Sequence, residues 1–126
     1  MANKKKLLGF FGVDSGQVMI GDPGYLNDWK ENEIGDEGYG HYSWAGACAT
    51  TMTAERGGTL VNKIGAELAV VSSTGIGDGV YPVVAHYTDD NHDWGKRIAR
   101  LEIIFMPELD GDDDWAEILK TEGVEV

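Results

Sequence analysis

The sequence predicts a mainly β protein, an antiparallel sandwich or partly open barrel with one short C-terminal helix. Three observations carry this. Apolar residues recur mostly with period two, the period of half-buried strands. Eighteen glycines against three prolines supply tight turns and bulges. Helix-start chemistry is confined to the tail. At 126 residues the expectation is a single β-rich domain over 1–126, with 1–5 and 121–126 frayed. Such a chain buries roughly two thirds of its unfolded surface around one core.

Lys6–Val13 and Gln17–Ile20 read as two strands joined around "DSG", a hairpin-type turn. "GDPGYL" (21–26) turns the chain, Pro23 fixing φ, and residues 27–40 are polar, acidic and glycine-punctuated, hence loop. His41–Thr53 is predicted as a long strand whose middle, "AGACATT" (45–51), carries only small side chains, suited to close backbone approach or a shallow pocket. "ERGG" (55–58) makes a hairpin turn, and Thr59–Ser73 holds one strand or two, broken near Gly65. Val80–Thr88 is a strand, "DDNHDWGK" (89–96) a turn, and Arg97–Met106 returns. In that last segment Ala99, Leu101, Ile103 and Phe105 share one face, predicted as core, while Arg100 and Glu102 take the wet face. The helix signal is Asp114 as N-cap with Glu117 three residues on, followed by the stripe Trp115, Ile118 and Leu119.

Charge narrows the partners. Twenty-two acids against ten bases give a net −12, concentrated in 22–37 (six acids, one lysine) and 107–126 (eight acids, one lysine). Such a field repels nucleic acid and anionic membranes. The longest charge-free stretch, Gly38–Ala54, is too polar to span a bilayer. The lone Cys48 excludes an internal disulfide framework and fits a reducing compartment. "MANKKKLLGFFGVD" stops its apolar run after seven residues without a cleavage pattern, so the expected location is cytoplasmic.

Each candidate constellation lacks a part. "STGIGDGVYPVV" (72–83) spaces Gly75, Gly77 and Gly79 two apart, runs into a strand, and offers no lysine. It is therefore not a phosphate loop but a turn, with Asp78 expected to bond the turn amides. Asp89, Asn91 and Asp93 fall at EF-hand positions 1, 3 and 5, yet Trp94 and Arg100 stand where glycine and glutamate belong. Asp110, Asp112 and Asp114 fail in the same way, with Trp115 and Thr121. Weak cation binding at the Asp89–Asp93 tip stays open. His41, His86 and His92 have no metal-ligand spacing, so no metal or other cofactor is expected. A Cys48–His41 dyad on one strand would point to opposite faces, leaving His86 on a neighbouring strand as the alternative base for Cys48. Trp29, Trp44, Trp94 and Trp115 could form a stacking platform or simply pack.

"VDSGQVMIGDPGYL" (13–26), "GDGVYPVVAHY" (77–87) and "KRIARLEIIF" (96–105) together resemble a family of uncharacterised small phage and bacterial β-rich proteins. Their shared pattern is V-D-S-G…I-G-D-P-C-Y followed by G-D-G-x-Y-P-V. Gly24 stands here where cysteine is usual. The resemblance implies a β-rich fold, a cytoplasmic setting and a phage connection, and it marks Asp14, Asp22 and Asp78 as motif positions.

The expected function is non-catalytic binding of a protein or small polar ligand, such as a phage accessory or host-modulating role. Asp14, Asp22, Asp78, Tyr81 and His86 are the ligand-binding candidates. No catalytic residue is assigned. A small hydrolase or cation-dependent enzyme built on Asp14, Asp22 and Asp78 is the alternative, and an acidic mimic of nucleic acid is a third. A homodimer is left open by the sequence.

Overall fold

The computed structural model describes residues 4–31, 38–89, 95–106 and 115–126. Six strands, two short α-helices and one 3-10 helix are present among them, in the order β1 (Lys5–Val13), β2 (Gln17–Gly21), the 3-10 helix (Pro23–Asp28), α1 (Trp44–Thr51), β3 (Gly57–Val61), β4 (Glu67–Ser73), β5 (Gly79–Tyr87), β6 (Ile98–Ile103) and α2 (Trp115–Thr121). The mainly β expectation holds. The strands form two antiparallel three-stranded sheets, ordered β1-β5-β6 and β2-β4-β3, neither of them closed. Contacts divide the chain into two compact units, one of residues 1–13 and 79–126, the other of residues 14–78.

In the first unit β5 is central. Its register with β1 runs from Lys5 opposite His86 to Val13 opposite Gly79, and β6 pairs its other side, Val84 opposite Glu102 and Ala85 opposite Leu101. Val84, Leu119 and Val124 form a buried cluster with Leu7 and Ile104 packed against it. The tail stripe is buried through Ile118 and Leu119, and Trp115 donates its indole N–H to the Val80 carbonyl (3.0 Å). Asp114 lies outside the described residues, as do residues 90–94 and the acidic run 107–113. One part of the pattern reading fails here. Leu101 is 56% exposed and Ala99 is also exposed, and only Ile103 and Phe105 of the four residues predicted as core are partly covered.

The second unit has its own core of Tyr42, Ala47, Leu60, Leu68, Ala69 and Val71, with Met19 and Trp29 against it. The predicted break near Gly65 is real: β3 and β4 form a hairpin, and Gly65 takes a positive φ of 84°. Two expectations are corrected. Strands β1 and β2 are not a hairpin, since β1 pairs with β5 and β2 with β4; the "DSG" turn passes the chain from one sheet to the other. The small-residue stretch predicted as strand within His41–Thr53 is instead α1. Ser43 caps it, its hydroxyl accepting the Gly46 amide N–H at 2.9 Å. Alanine favours the helix, and Thr50 donates to the Gly46 carbonyl (2.7 Å) while accepting from the Gly40 amide (2.8 Å). Both threonines of 45–51 are accommodated at the end of the helix, their hydroxyls bonding back to carbonyls one turn earlier.

Candidate functional site

Among the described residues, one concavity belongs wholly to the second unit. It is an open groove of about 350 Å³, in the range used by small-molecule sites. Three segments build it. The end of the 3-10 helix contributes Asn27 and Asp28, with Lys30 just beyond. The strip before α1 contributes His41 and Tyr42, and the β3–β4 turn contributes Asn62, Lys63 and Ile64.

Backbone bonds fix this arrangement. The Trp44 amide donates to the Lys30 carbonyl (2.8 Å), which holds the first segment to the helix start. The Tyr42 amide donates to Val61 (2.9 Å) and the Val61 amide to Gly40 (2.7 Å), which hold the strip to β3. Asn62 shapes the turn, its side-chain oxygen accepting from the amides of Ile64 (3.1 Å) and Ala66 (2.9 Å).

Tyr42 anchors the groove floor. It is buried, and Trp29 meets its ring edge-on at 5.1 Å. Burial pushes its phenol above the ordinary tyrosine range, and the Asp28 carboxylate pushes it further. The folded state therefore holds the phenol proton more tightly than the unfolded chain does. Stability is fully present below the ordinary tyrosine range and falls as pH rises through the raised one. Denaturation midpoints followed into alkaline pH should show that decline; Tyr42→Phe should remove this part of it, and Asp28→Asn should reduce it.

The electrostatics of the groove are unusual for this chain. Residues 14–78 contain ten acids and three bases, Lys30, Arg56 and Lys63. Two of those three bases line this groove, with His41 between them in sequence and Asp28 as the acid among the described lining residues. A smaller cavity of about 140 Å³ in the same unit is lined mainly by apolar groups, including Met19, Trp29, Trp44 and Val71, with Gln17 at its wall. Gln17 also donates its amide to the Cys48 sulfur at 3.6 Å, so the thiol's described partner is an amide and not a histidine.

The motif residues sit elsewhere. Asp22 caps the 3-10 helix, accepting the Gly24 amide N–H at 2.8 Å. Asp14 and Asp78 are exposed and adjoin the last rung of the β1–β5 ladder, Val13 opposite Gly79. The turn before Asp78 is closed by Thr74, which donates its hydroxyl to the Gly77 carbonyl (2.7 Å) and accepts the Gly77 amide on its own carbonyl (3.2 Å). Gly77 takes a φ of 105°, which side chains disfavour.

In the other unit, Tyr81 is buried edge-on to Phe105 at 5.5 Å and tilted against Phe11 at 6.2 Å. His86 meets Glu102 through its Nε2 at 2.8 Å. Among the described residues, no group of three or more His, Cys, Asp or Glu side chains is placed to hold a metal ion. Residues Asn91, His92 and Asp93 of the Asp89–Asp93 tip are not among them.

Sequence reasoning did not single out Lys30, Lys63, Asn27 or Asn62. Their signal was the scarcity of bases between 14 and 78, which gains meaning only once β3, the 3-10 helix and the strip before α1 are brought together.

The fold and groove together define a mainly β protein with a small-molecule-sized cleft in one of its units. No protein-family model, curated protein or solved structure matches this chain. No helix among the described residues is long and apolar enough to cross a membrane.

Proposed function

We propose that this protein binds a small polar anion, without transforming it, in the groove between Lys30, His41 and Lys63. The observation that carries the reading is the gathering of two of the three bases of residues 14–78 into one concavity, within a chain of net charge −12. Two ammonium groups attract a carboxylate or phosphate, and the Asn27 and Asn62 side chains offer amide groups at the same wall. Asp28 favours a ligand that also carries a hydrogen-bond donor, such as a zwitterion.

Binding is preferred over catalysis on chemical grounds. Catalysis requires a nucleophile, its base and a charge stabiliser to converge. Of the three motif aspartates, Asp22 is engaged in capping a helix, and the groove lining includes none of them.

The test is calorimetric titration and amide chemical-shift mapping with inorganic phosphate, a dicarboxylate, a zwitterionic amino acid and a neutral sugar. An anionic or zwitterionic probe should shift the amides of residues 27–30, 41–42 and 62–64, with affinity that weakens as salt rises. Lys30→Ala and Lys63→Ala should each weaken it roughly tenfold, the scale of one charge-assisted hydrogen bond. Binding of the neutral sugar alone, or anion binding unchanged in both variants, would refute the reading.

A further inference from the structure

We infer that β6 is a self-pairing edge, through which two copies of this chain join into one continuous antiparallel sheet. The two edges of sheet β1-β5-β6 are treated differently. The β1 edge is covered by the chain's own end: Glu125 pairs parallel to Lys6, its amide donating to the Lys5 carbonyl (2.9 Å) and its carbonyl accepting from the Leu7 amide (2.8 Å). The β6 edge has no strand on it among the described residues. An open edge presents alternate backbone N–H and C=O groups ready to pair with another strand. Ile98 and Leu101 stand 50% and 56% exposed along it, and no proline or lysine interrupts Ile98–Ile103.

The sequence of β6 says what covers it. Laid antiparallel against itself about Leu101, the stretch Arg100–Glu102 is complementary at its three central rungs, on the far side of the bulge that the β5 pairing shows at Ala99. Leu101 faces Leu101 of the second copy, and Arg100 faces Glu102 of the second copy, twice by symmetry. Opposite charges and apolar pairs directly across an antiparallel ladder stabilise it, while like charges there destabilise it. A two-fold contact of this kind is isologous and closes after two copies, so it gives a dimer and not a fibre. Glu102 can take part without losing His86, because His86 uses only its Oε1. The unexplained exposure of the apolar face of β6 then has a cause: Leu101 is an interface residue and not a failed core residue.

The experiment is sedimentation and light scattering of the full chain across a micromolar-to-millimolar concentration series, on four samples. The protein itself should move from monomer to dimer. Arg100→Glu alone, and Glu102→Arg alone, each place like charges at both symmetric rungs and should weaken dimerisation about tenfold or more. An equimolar mixture of these two variants sets acid opposite base at both rungs and should recover a heterodimer. That recovery also shows that neither variant has lost its fold. A parent that remains monomeric throughout the series, or single variants that dimerise like the parent, or a mixture that recovers nothing, overturns the inference.

Discussion

Gly46→Ala should be among the most damaging single-methyl additions this protein can suffer. Gly46 sits in the first turn of α1, where its amide donates to the Ser43 cap. A Cβ built there would collide with the His41 carbonyl group, and the atoms in the way are backbone. Side chains can rotate aside; a carbonyl tied into the strip 41–43 cannot, because Tyr42, Ser43 and Trp44 are each bonded through their amides. Either the helix start lifts or the strip shifts, and both disturb the buried Tyr42 and the groove it floors. The expected loss is about 3 kcal/mol, the upper part of the range for forced overpacking. Gly9→Ala is the control: it lies in β1 with open space around the added methyl, and it should be neutral or slightly stabilising. Urea denaturation of both variants checks this. If Gly46→Ala melts with Gly9→Ala, the close approach of α1 to His41 is wrong.

Gly46 also shows why the helix was hidden in the sequence. Strand reading works where large apolar side chains bounded by turn residues mark the segment, as in β1 and β5, and there the strands emerge where expected. In "AGACATT" no large residue marks a face, so neither period is visible. What decides the conformation is the Ser43 cap and the fit of a glycine over a carbonyl, the second of which depends on tertiary placement. The strand pairing was hidden for a related reason. Val13 and Gln17 flank a turn that suits a hairpin, but β1 finds its partner in β5, many residues away, and no local signal competes with that long-range register.

The candidate site was less legible than the fold. Asp14, Asp22 and Asp78 draw the eye because they stand beside glycines, and glycine-aspartate pairs are turn chemistry as often as site chemistry. Asp22 is now visibly a helix cap. The Arg97–Met106 segment misled in the opposite direction. Its alternation is genuine, but an apolar face predicts burial, and burial by another molecule has the same pattern as burial in a core.

Leu119→Ala should remove about 2–5 kcal/mol, the cost of truncating a leucine in a filled core. Leu119 is fully buried, and its neighbours Val84, Val124, Leu7 and Ile104 come from β5, the tail, β1 and the residue just after β6. Helix α2 has only seven residues, too few to persist in water on its own propensity. It is a helix because this side chain seats it on the sheet. The same cluster holds Val124, and one residue further on Glu125 is bonded to β1, so the loss should reach the tail as well. Hydrogen exchange at the Leu7 and Glu125 amides should accelerate along with the amides of α2. Ala116→Gly separates docking from propensity. It lies on the exposed side of the same helix and should cost only about 1 kcal/mol. A Leu119→Ala loss no larger than that of Ala116→Gly, with exchange at Leu7 unchanged, would mean that α2 holds itself and that the cluster contributes little. The geometry argues otherwise, since a side chain with no exposed surface among four apolar neighbours leaves a cavity that the backbone of a three-stranded sheet cannot close.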